Sequence, residues 1–282
     1  MLICRSVSEC RQAIAGLHQN GQSVGMVPTM GYLHAGHMSL IKTAQAHADA
    51  IAVSIFVNPT QFGEAADLDA YPRDVERDLA LLKEAGVAVV FLPEVETMYP
   101  SGDETIVETT RLANMLHGEV RPGHFRGVTT VVARLFNIVQ PDVAVFGEKD
   151  YQQLQVIKRM VADLHMPVQI IGAPTVREAD GLAMSSRNVR LSPEDRAAAL
   201  VLSRALDAAE AVAAGADATI EQLQAAIVDT ISAQPRAALK GVDIVAAETL
   251  NTLTGPLTGP TAIMISVAFG DILLIDQRVV TT

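Results

Sequence analysis

Short apolar runs alternate with amphipathic helical patterns along the first part of this chain, and this alternation restricts the fold more than any other feature. Val24–Val27, Ile51–Val57 and Val143–Phe146 have the length and composition of buried strands. Between them, Met38–His47 and Val128–Val139 have apolar residues at helical spacing. The same patterns predict further helices over Asp74–Ala85 and Tyr151–Leu164, and further strands over Val87–Leu92 and Val168–Ile171. Because strands that alternate with helices pair in parallel, we predict an α/β fold with a Rossmann-like parallel sheet over residues 1–175.

The pattern changes after residue 175, where Ala-rich helices replace the alternation. One helix is predicted over Pro193–Ala214, with Ser192 as its N-cap, and a second over Thr219–Ala233. Three strands are then predicted, over Val242–Ala247, Ala262–Ala268 and Ile272–Ile275. The Gly-Asp pair between the last two strands suits a hairpin turn. We therefore predict a smaller α+β domain over residues 176–282.

The composition restricts the partners and the compartment of the protein. The 282 residues carry a net charge of −11, which argues against nucleic acid as a partner because phosphate backbones are bound by clustered Lys and Arg. No apolar run approaches the ~20 residues that cross a bilayer, and the N-terminus lacks the regions of a signal peptide. Cys4 and Cys10 do not form a disulfide framework. These features predict a cytoplasmic protein that binds neither nucleic acid nor membrane.

The segment from Pro28 to His37, with the sequence PTMGYLHAGH, joins the first predicted strand to the next helix. A glycine-containing turn at a helix start presents backbone N–H groups and the positive end of the helix dipole to an anion. His34 and His37 are three residues apart, so both reach the same side of the first helical turn. Two imidazoles there suit nucleotide phosphates, whose charge rises during transfer at phosphorus. The alternative is a simple turn shaped by its glycines, with both histidines on the surface.

The residues of this segment disfavour three other kinds of site. The segment is not the G-x-G-x-x-G of dinucleotide-binding proteins, and it lacks the Lys and Ser or Thr that end a P-loop. Zinc needs three or four ligands, whereas the other histidines are scattered along the sequence and Cys4 and Cys10 are the only cysteines. We therefore expect no zinc site here.

Two further segments carry residues suited to phosphates. In Phe146–Gln153, Lys149 stands near a predicted helix start, where a cation is favourable beside a bound anion. The alternative is an exposed ion pair between Lys149 and Asp150, which would contribute little. In Ala183–Asn188, two serines and Arg187 suit a mobile loop that closes over phosphates and excludes water. Taken alone, that composition is equally typical of an ordinary loop.

Amide side chains follow the second predicted strand. Asn58 and Gln61 suit the recognition of hydroxyl and carboxylate oxygens. The segment Arg121–Gly127 adds a cationic loop that contains His124. For each of these a simple turn is the alternative. Because ligands of parallel sheets bind beyond the carboxyl ends of the strands, we expect the groups that follow the strands to surround one site.

These motifs occur in the order and spacing of a known family. They are PTMGYLHAGH (28–37), SIFVNPTQF (54–62), YPRD (71–74), RPGHFRG (121–127), FGEKDYQQ (146–153) and MSSRN (184–188). On these residues the chain resembles the pantothenate synthetase (pantoate–β-alanine ligase) family, within the HxGH nucleotidyl-transferase superfamily of the class I aminoacyl-tRNA synthetases. Thr60 departs from the family pattern, which has methionine at that place in VNPMQF, beside the pantoate pocket.

The resemblance implies a reaction, its substrates and an assembly. The implied reaction is the ATP-dependent condensation of pantoate with β-alanine through a pantoyl-adenylate, with release of AMP and pyrophosphate. ATP and Mg²⁺ are implied as substrate and cofactor, and a homodimer as the assembly. Residues 1–175 would bind ATP and pantoate, and residues 176–282 would form a lid. The ligands of Mg²⁺ stay open, with Asp78 and Asp150 as two alternatives.

The resemblance also implies roles for individual residues. The implied catalytic residues are His34, His37, Lys149 and Arg187. The implied ATP contacts are Met30, Gly31, Tyr32, Leu33, His34, Ala35, Gly36, His37, Gly147, Glu148, Lys149, Asp150, Val176, Met184, Ser185, Ser186 and Arg187. The implied substrate contacts are Gln61, Gln153, Asn58 and His124. Two other functions share parts of this pattern: a nucleotidyl transferase that stops after transferring AMP, and a catalytically silent nucleotide-binding protein.

Overall fold

A parallel sheet of six strands organises the first part of the protein in a computed structural model that describes residues 1–63 and 68–281. Its strands are β1 (Leu2–Cys4), β2 (Val24–Thr29), β3 (Ala50–Ile55), β4 (Val89–Phe91), β5 (Val143–Gly147) and β6 (Gln169–Ala173). They lie in the order β1-β4-β3-β2-β5-β6, and all neighbouring pairs are parallel. The Rossmann-like α/β fold predicted from the sequence is confirmed.

Helices cover both faces of this sheet. They are α1 (Val7–Gln19), α2 (Ala35–Gln45), α3 (Val75–Glu84), α4 (Val95–Met98), α5 (His117–Val120), α6 (His124–Val139) and α7 (Tyr151–Asp163). On one face α1, α6 and α7 pack with Met26 and Phe91, and on the other α2 and α3 pack with Val27 and Val53. Because successive strand residues point to opposite faces, a strand covered on both sides is apolar throughout. This explains the unbroken apolar runs in the sequence.

The strand order reverses between β2 and β5. Gly25 of β2 pairs with Val143 of β5, and the remaining strands extend outward from this pair in both directions. In open parallel sheets, ligands bind in the crevice beyond the carboxyl ends of the strands at such a reversal. β2 leads into the segment with the two predicted histidines, and β5 ends at Gly147. Both segments therefore begin at this crevice.

A smaller antiparallel sheet lies in the C-terminal part of the chain. Its strands are β7 (Ala238–Ala246), β8 (Thr261–Phe269) and β9 (Ile272–Val280), and the helices before them are α8 (Pro193–Ala198), α9 (Val201–Ala213) and α10 (Ile220–Ser232). Leu206 of α9 and Ile227 of α10 share a buried apolar cluster with Ile263 of β8. The predicted Gly-Asp turn joins β8 to β9, with Gly270 at a φ of 56°. The predicted α+β architecture is confirmed.

The residues divide between two compact units in a way that their order in the sequence does not suggest. The first unit comprises Met1–Gly147 with Gln152–Ala173, and the second comprises Glu148–Tyr151 with the described part of Pro174–Thr282. The chain therefore passes between the units three times. The predicted boundary at residue 175 assigned Glu148–Tyr151 to the first domain. These residues lie between β5 and the rest of α7 in the sequence, so their place in the second unit was not expected.

The secondary structure differs from the predictions in several places, which include the short helices α4 and α5. β1 and α1 were not predicted, although a capping box marks the start of α1: Ser6 Oγ accepts the N–H of Glu9, and a carboxylate oxygen of Glu9 accepts the N–H of Ser6. The helix predicted over Pro193–Ala214 is two helices, with the first ending at Ala198.

Among the described ranges of the chain, no helix combines the length and the apolarity needed to span a membrane.

Candidate active site

The turn between β2 and α2 has a backbone conformation that needs support. Gly31 and Tyr32 both have positive φ, of 81° and 51°. This conformation is strained for a residue with a side chain, so it persists only where its surroundings hold it. Asp78 at the start of α3 holds this turn. One carboxylate oxygen accepts the N–H of Tyr32 and the other accepts the N–H of Leu33, each at 2.7 Å.

Asp78 is buried, and its carboxylate is fully engaged by the turn. Asp78 is only 1% exposed. A Cβ on Gly31 would lie 3.0 Å from Asp78 Oδ2 and 3.0 Å from Ile55 Cγ2, which explains the glycine at this place. Of the two carboxylates that the sequence left open as magnesium ligands, Asp78 is thus committed to backbone donors.

The two histidines cap the start of α2 and orient each other. The N–H of Gly36 donates to Nδ1 of His34 at 3.1 Å, and the N–H of His34 donates to Nδ1 of His37 at 3.2 Å. The ring centroids are 4.2 Å apart and the rings are inclined by 47°. Because each Nδ1 accepts a hydrogen bond, the proton of each neutral ring lies on Nε2. The start of α2 therefore carries two Nε2–H donors, which favour an anion.

A 3₁₀ turn at Pro59–Gln61 follows β3 and carries the predicted amides. Asn58 is 1% exposed, and its Nδ2 donates to Gln61 Oε1 and to the carbonyl of Gly127, both at 3.1 Å. Gln61 Nε2 donates to the sulfur of Met30 at 3.1 Å. The structure thus brings together three residues that the sequence singled out, and it shows that Asn58 orients Gln61.

His124 lies beside the same turn, at the start of α6. Its Nδ1 donates to the carbonyl oxygen of Gln61 at 2.8 Å, and its Nε2 is 3.5 Å from a guanidinium nitrogen of Arg121. Because a carbonyl only accepts, Nδ1 carries the proton of this ring and Nε2 accepts from Arg121. The predicted residues His124 and Gln61 are therefore in direct contact.

Gly127→Ala is expected to destabilise the protein by about 1–3 kcal/mol. A Cβ on Gly127 would lie 2.5 Å from the carbonyl oxygen of Thr60, so α6 and the 3₁₀ turn would have to separate. Denaturant unfolding measures the loss. Gly16→Ala in α1 is the matched control, because nothing lies within 4 Å of a Cβ there, and it is expected to be neutral or stabilising. Equal effects of the two substitutions would contradict the close approach at Gly127.

The remaining predicted residues of the first unit lie on β5 and α7. Gly147 ends β5, and a Cβ there would be 3.9 Å from Leu40 of α2, the helix that carries the histidines. Gln153 is half-buried in the first turn of α7. Its neighbour Gln152, which the sequence analysis did not single out, is buried and bonds to the backbone of residues 112–117. Gln152 therefore holds the segment before α5.

In the second unit, Lys149 and Asp150 lie in a 3₁₀ turn and form an ion pair. Lys149 Nζ is 3.2 Å from Asp150 Oδ2, and the two side chains are 18% and 47% exposed. The ion pair considered as an alternative therefore exists, but the Lys149 charge is more sheltered than in an exposed pair. The hydroxyl of the next residue, Tyr151, donates to the carbonyl of Ala247 at 3.0 Å. This bond joins the Lys149 turn to the end of β7.

Val176 and Met184 are neighbours across a loop of the second unit. The N–H of Met184 donates to the carbonyl of Val176 at 2.9 Å, and Arg177 pairs with Ala183 in an antiparallel bridge. Arg177 donates to both carboxylate oxygens of Asp276, at 2.7 and 3.0 Å, and Asp276 is 1% exposed. A bidentate bond of this kind fixes the loop in one geometry.

The segment MSSRN continues from this loop and is anchored at its last residue. Asn188 Nδ2 donates to a carboxylate oxygen of Glu178 at 2.9 Å, and Arg196 pairs with the other oxygen at 2.7 Å. Within the segment, Ser185 Oγ accepts the N–H of Arg187 at 3.3 Å. The two serines and Arg187 are half-buried. The structure thus places Val176 and the MSSRN segment on one connected loop.

The two thiols of the protein, Cys4 and Cys10, are buried and poorly suited to covalent chemistry. Burial raises the pKa of Cys10 to about 12 and also raises the pKa of Cys4. Both thiols are therefore protonated near neutral pH and are poor nucleophiles. Across residues 1–63 and 68–281, no group of three or more His, Cys, Asp and Glu side chains is arranged to hold a metal ion.

The fold and the site define an α/β protein with a Rossmann-like sheet, in which the strand at the switch point leads into two histidines that cap the next helix and a ligand crevice is expected beside them. The sequence profile of the family described as pantoate-beta-alanine ligase matches residues 2–279. The chain belongs to the pantoate–β-alanine ligase family, as its motifs predicted. The members of this family are enzymes.

Individual relatives match the chain over nearly its whole length. A pantothenate synthetase of Agrobacterium fabrum is 51% identical over 280 residues, covering 99% of this chain and 96% of the relative. One of Pelotomaculum thermopropionicum is also 51% identical, covering 99% of each chain. The crystal structure of pantothenate synthetase from Thermus thermophilus has a TM-score of 0.93 at 48% identity, with 99% of each chain covered. The Francisella tularensis pantoate-beta-alanine ligase, complexed with beta-gamma ATP and beta-alanine, has a TM-score of 0.80 at 35% identity, with 99% and 97% covered.

Proposed function

We propose that this protein joins pantoate to β-alanine in an ATP-dependent ligation that passes through a pantoyl-adenylate and releases AMP and pyrophosphate. The observation that carries the proposal is the pair of Nε2–H donors of His34 and His37 at the switch point of the sheet. Membership of the family supports the ligation of pantoate with β-alanine. The Francisella relative with ATP and β-alanine bound supports these two substrates.

The first half-reaction activates the carboxylate of pantoate. A carboxylate oxygen attacks the α-phosphorus of ATP, the bond from that phosphorus to the bridging oxygen breaks, and pyrophosphate leaves. Negative charge on the phosphoryl oxygens rises as the bond forms. That charge is stabilised by the Nε2–H groups of His34 and His37 and by the ammonium of Lys149. The backbone N–H groups at the start of α2 stabilise it further.

The second half-reaction forms the amide bond. The amine of β-alanine attacks the acyl carbon of the adenylate, its nitrogen loses a proton, and AMP leaves as the acyl–oxygen bond breaks. Gln61 and Gln153 hold the hydroxyl and carboxylate oxygens of pantoate, and Gln61 also contacts β-alanine. Water would hydrolyse the adenylate, so the loop with Ser185, Ser186 and Arg187 closes over the phosphates. Val176 and Met184, at the base of that loop, contact ATP.

Mg²⁺ is proposed to enter the site with ATP. Phosphate oxygens and water supply most of its ligands, as is usual for this ion. The half-exposed carboxylate of Asp150, beside Lys149, fits the preference of Mg²⁺ for oxygen and would supply one ligand. When bound, Mg²⁺ would supply positive charge beside the phosphates and so lower the repulsion between ATP and the pantoate carboxylate.

The domain roles and the assembly implied by the resemblance form part of the same proposal. Residues 1–175 bind ATP and pantoate, residues 176–282 close as a lid, and the protein works in the cytoplasm as a homodimer. Light scattering on the purified protein tests the assembly. Twice the mass of one chain is expected, and the mass of a single chain would contradict the dimer.

Pyrophosphate release from Mg-ATP and pantoate, first without and then with β-alanine, tests the reaction. A burst of about one pyrophosphate per active site without the amine is expected, followed by steady formation of AMP and pantothenate after its addition. If pyrophosphate is released only when β-alanine is present, the ligation is still supported, but it does not pass through a separate adenylate-forming step. No product under either condition would contradict the proposal. Continuous pyrophosphate release without the amine would indicate a nucleotidyl transferase.

Arg187→Ala is expected to weaken the use of ATP, with kcat/KM for ATP reduced about tenfold or more. The guanidinium of Arg187 would pair with phosphate oxygens when the loop closes, and alanine removes both its charge and its donors. Steady-state kinetics with varied ATP measures the effect. Arg190→Ala, at an exposed position three residues later, is the matched control. Equal kinetics for the Arg187 variant and the unmutated protein would leave the segment an ordinary loop.

A further inference from the structure

Tyr99 is joined to Gln61 through the buried amide of Asn58. The Tyr99 hydroxyl donates to Oδ1 of Asn58 at 2.7 Å. Nδ2 of the same amide donates to Oε1 of Gln61 at 3.1 Å. One planar amide makes both bonds. The side chain that donates to the amide oxygen therefore also determines the direction of the amide nitrogen.

The amide of Asn58 has one satisfactory orientation. Its oxygen also accepts from the hydroxyl and the N–H of Thr60, at 3.0 and 3.4 Å. Its second Nδ2 proton goes to the carbonyl of Gly127 at 3.1 Å. A reversed amide would place its oxygen against that carbonyl, and two acceptors cannot bond to each other. At 1% exposure, Asn58 has no water to compensate for such a loss.

The consequence falls on Gln61. Its Oε1 is occupied as an acceptor for Asn58, so its Nε2 is the end that remains as a donor. That nitrogen contacts the sulfur of Met30 at 3.1 Å, and a thioether sulfur is a weak acceptor. Gln61 is therefore set to donate to an oxygen of a ligand that lies beside Met30.

Tyr99 is itself held in place and kept protonated. The guanidinium of Arg134 lies over its ring, 4.5 Å from the centroid. Arg134 is fixed by an ion pair with Asp103 at 2.6 Å and by a hydrogen bond to the carbonyl of Met98. Burial raises the pKa of the Tyr99 hydroxyl, so this group stays a donor throughout the neutral range.

We propose that Tyr99 is a positioning residue for the ligation: through Asn58, it fixes the side-chain amide of Gln61 as a hydrogen-bond donor to an oxygen of pantoate. This inference rests on the proposed function, which assigns pantoate to Gln61. Tyr99 acts through two successive hydrogen bonds and does not contact the substrate. Its loss therefore affects the two substrates that are assigned to Gln61, pantoate and β-alanine, and leaves the histidine turn and the binding of ATP as they are.

Tyr99→Phe tests the proposal, because it removes the hydroxyl and keeps the ring under Arg134. We expect kcat/KM for pantoate to fall about tenfold, while KM for ATP stays within about twofold. The same substitution is then made in a Gln61→Ala background. There it is expected to change kcat/KM for pantoate by less than about twofold, since the group that Tyr99 orients is already absent.

The double variant separates positioning from a general structural role. Losses that multiply in the double variant, or equal losses for pantoate and ATP, would overturn the proposal. If thermal unfolding shows that Tyr99→Phe is not folded, Thr60→Val removes the second hydroxyl on Oδ1 of Asn58 and enters the same cycle, with about a threefold loss expected. Failure of the proposed function has a different signature, because the unmutated protein would then form no pantothenate.

Discussion

His37→Asn is expected to slow pyrophosphate release from ATP and pantoate by about 10²–10³ while the protein stays folded. The asparagine oxygen stands close to the place of Nδ1 and accepts the N–H of His34, a bond of 3.2 Å in this protein. Asparagine has no group at the place of Nε2. The substitution therefore keeps the helix cap and removes the proposed donor to phosphate. Single-turnover pyrophosphate release measures the effect, and thermal unfolding checks the fold.

Two further variants make this result specific. His37→Gln brings an amide N–H close to the place of Nε2 and is expected to recover part of the rate. His47→Ala removes a histidine just after the end of α2, where the exposed ring contacts the carbonyl of Thr43 at 2.9 Å. It is expected to leave the rate unchanged. A normal single-turnover rate for His37→Asn would show that His37 is not one of the proposed catalytic residues.

Asp78→Asn is expected to destabilise the protein by about 2 kcal/mol and to raise KM for ATP about tenfold. An amide has one oxygen, so it accepts from either Tyr32 or Leu33, each of which now donates at 2.7 Å. Its NH₂ group faces the other N–H, which stays unsatisfied in a buried place. The left-handed turn before the histidines then loses half of its support. Denaturant unfolding and kinetics with varied ATP measure the two effects.

Glu76→Gln is the matched control for Asp78→Asn. Both residues lie in the first turn of α3, and both substitutions remove one negative charge from the helix start. Glu76 is exposed, so its loss is expected to change the stability by no more than about 0.5 kcal/mol and to leave KM for ATP unchanged. Similar effects of the two substitutions would mean that Asp78 acts through the helix dipole and not through the turn.

The parallel sheet could be predicted because its causes are local in the sequence. Each central strand is apolar on both faces, and a helix that covers the sheet follows it. β1 has no such signature, because it is a short edge strand in which Leu2 and Ile3 are 58% and 46% exposed. The interruption between α8 and α9 was missed because neither glycine nor proline marks it.

The candidate site could be predicted where its residues are contiguous. The histidine turn, the Lys149 turn and the MSSRN segment each lie within a few residues of sequence. The supporting roles of Asp78, which the sequence offered only as a ligand of Mg²⁺, and of Tyr99 were missed because their partners are distant: Asp78 bonds to a residue 46 positions away, and Tyr99 to one 41 positions away. An acidic residue in the first turn of a helix is explained by the helix dipole alone, so nothing in the sequence indicated that Asp78 supports the histidine turn.

Because Glu148–Tyr151 belongs to the second unit, this segment reaches its final contacts later in synthesis than the parallel sheet that precedes and follows it. The six strands of the parallel sheet are complete once residue 173 has left the ribosome. Tyr151 bonds to Ala247, 96 residues later, which translation reaches after roughly 5–20 s. A nascent chain halted between these points is expected to have a finished sheet and an unfinished Lys149 turn. The growing polypeptide thus completes the surroundings of Lys149 only near the end of synthesis.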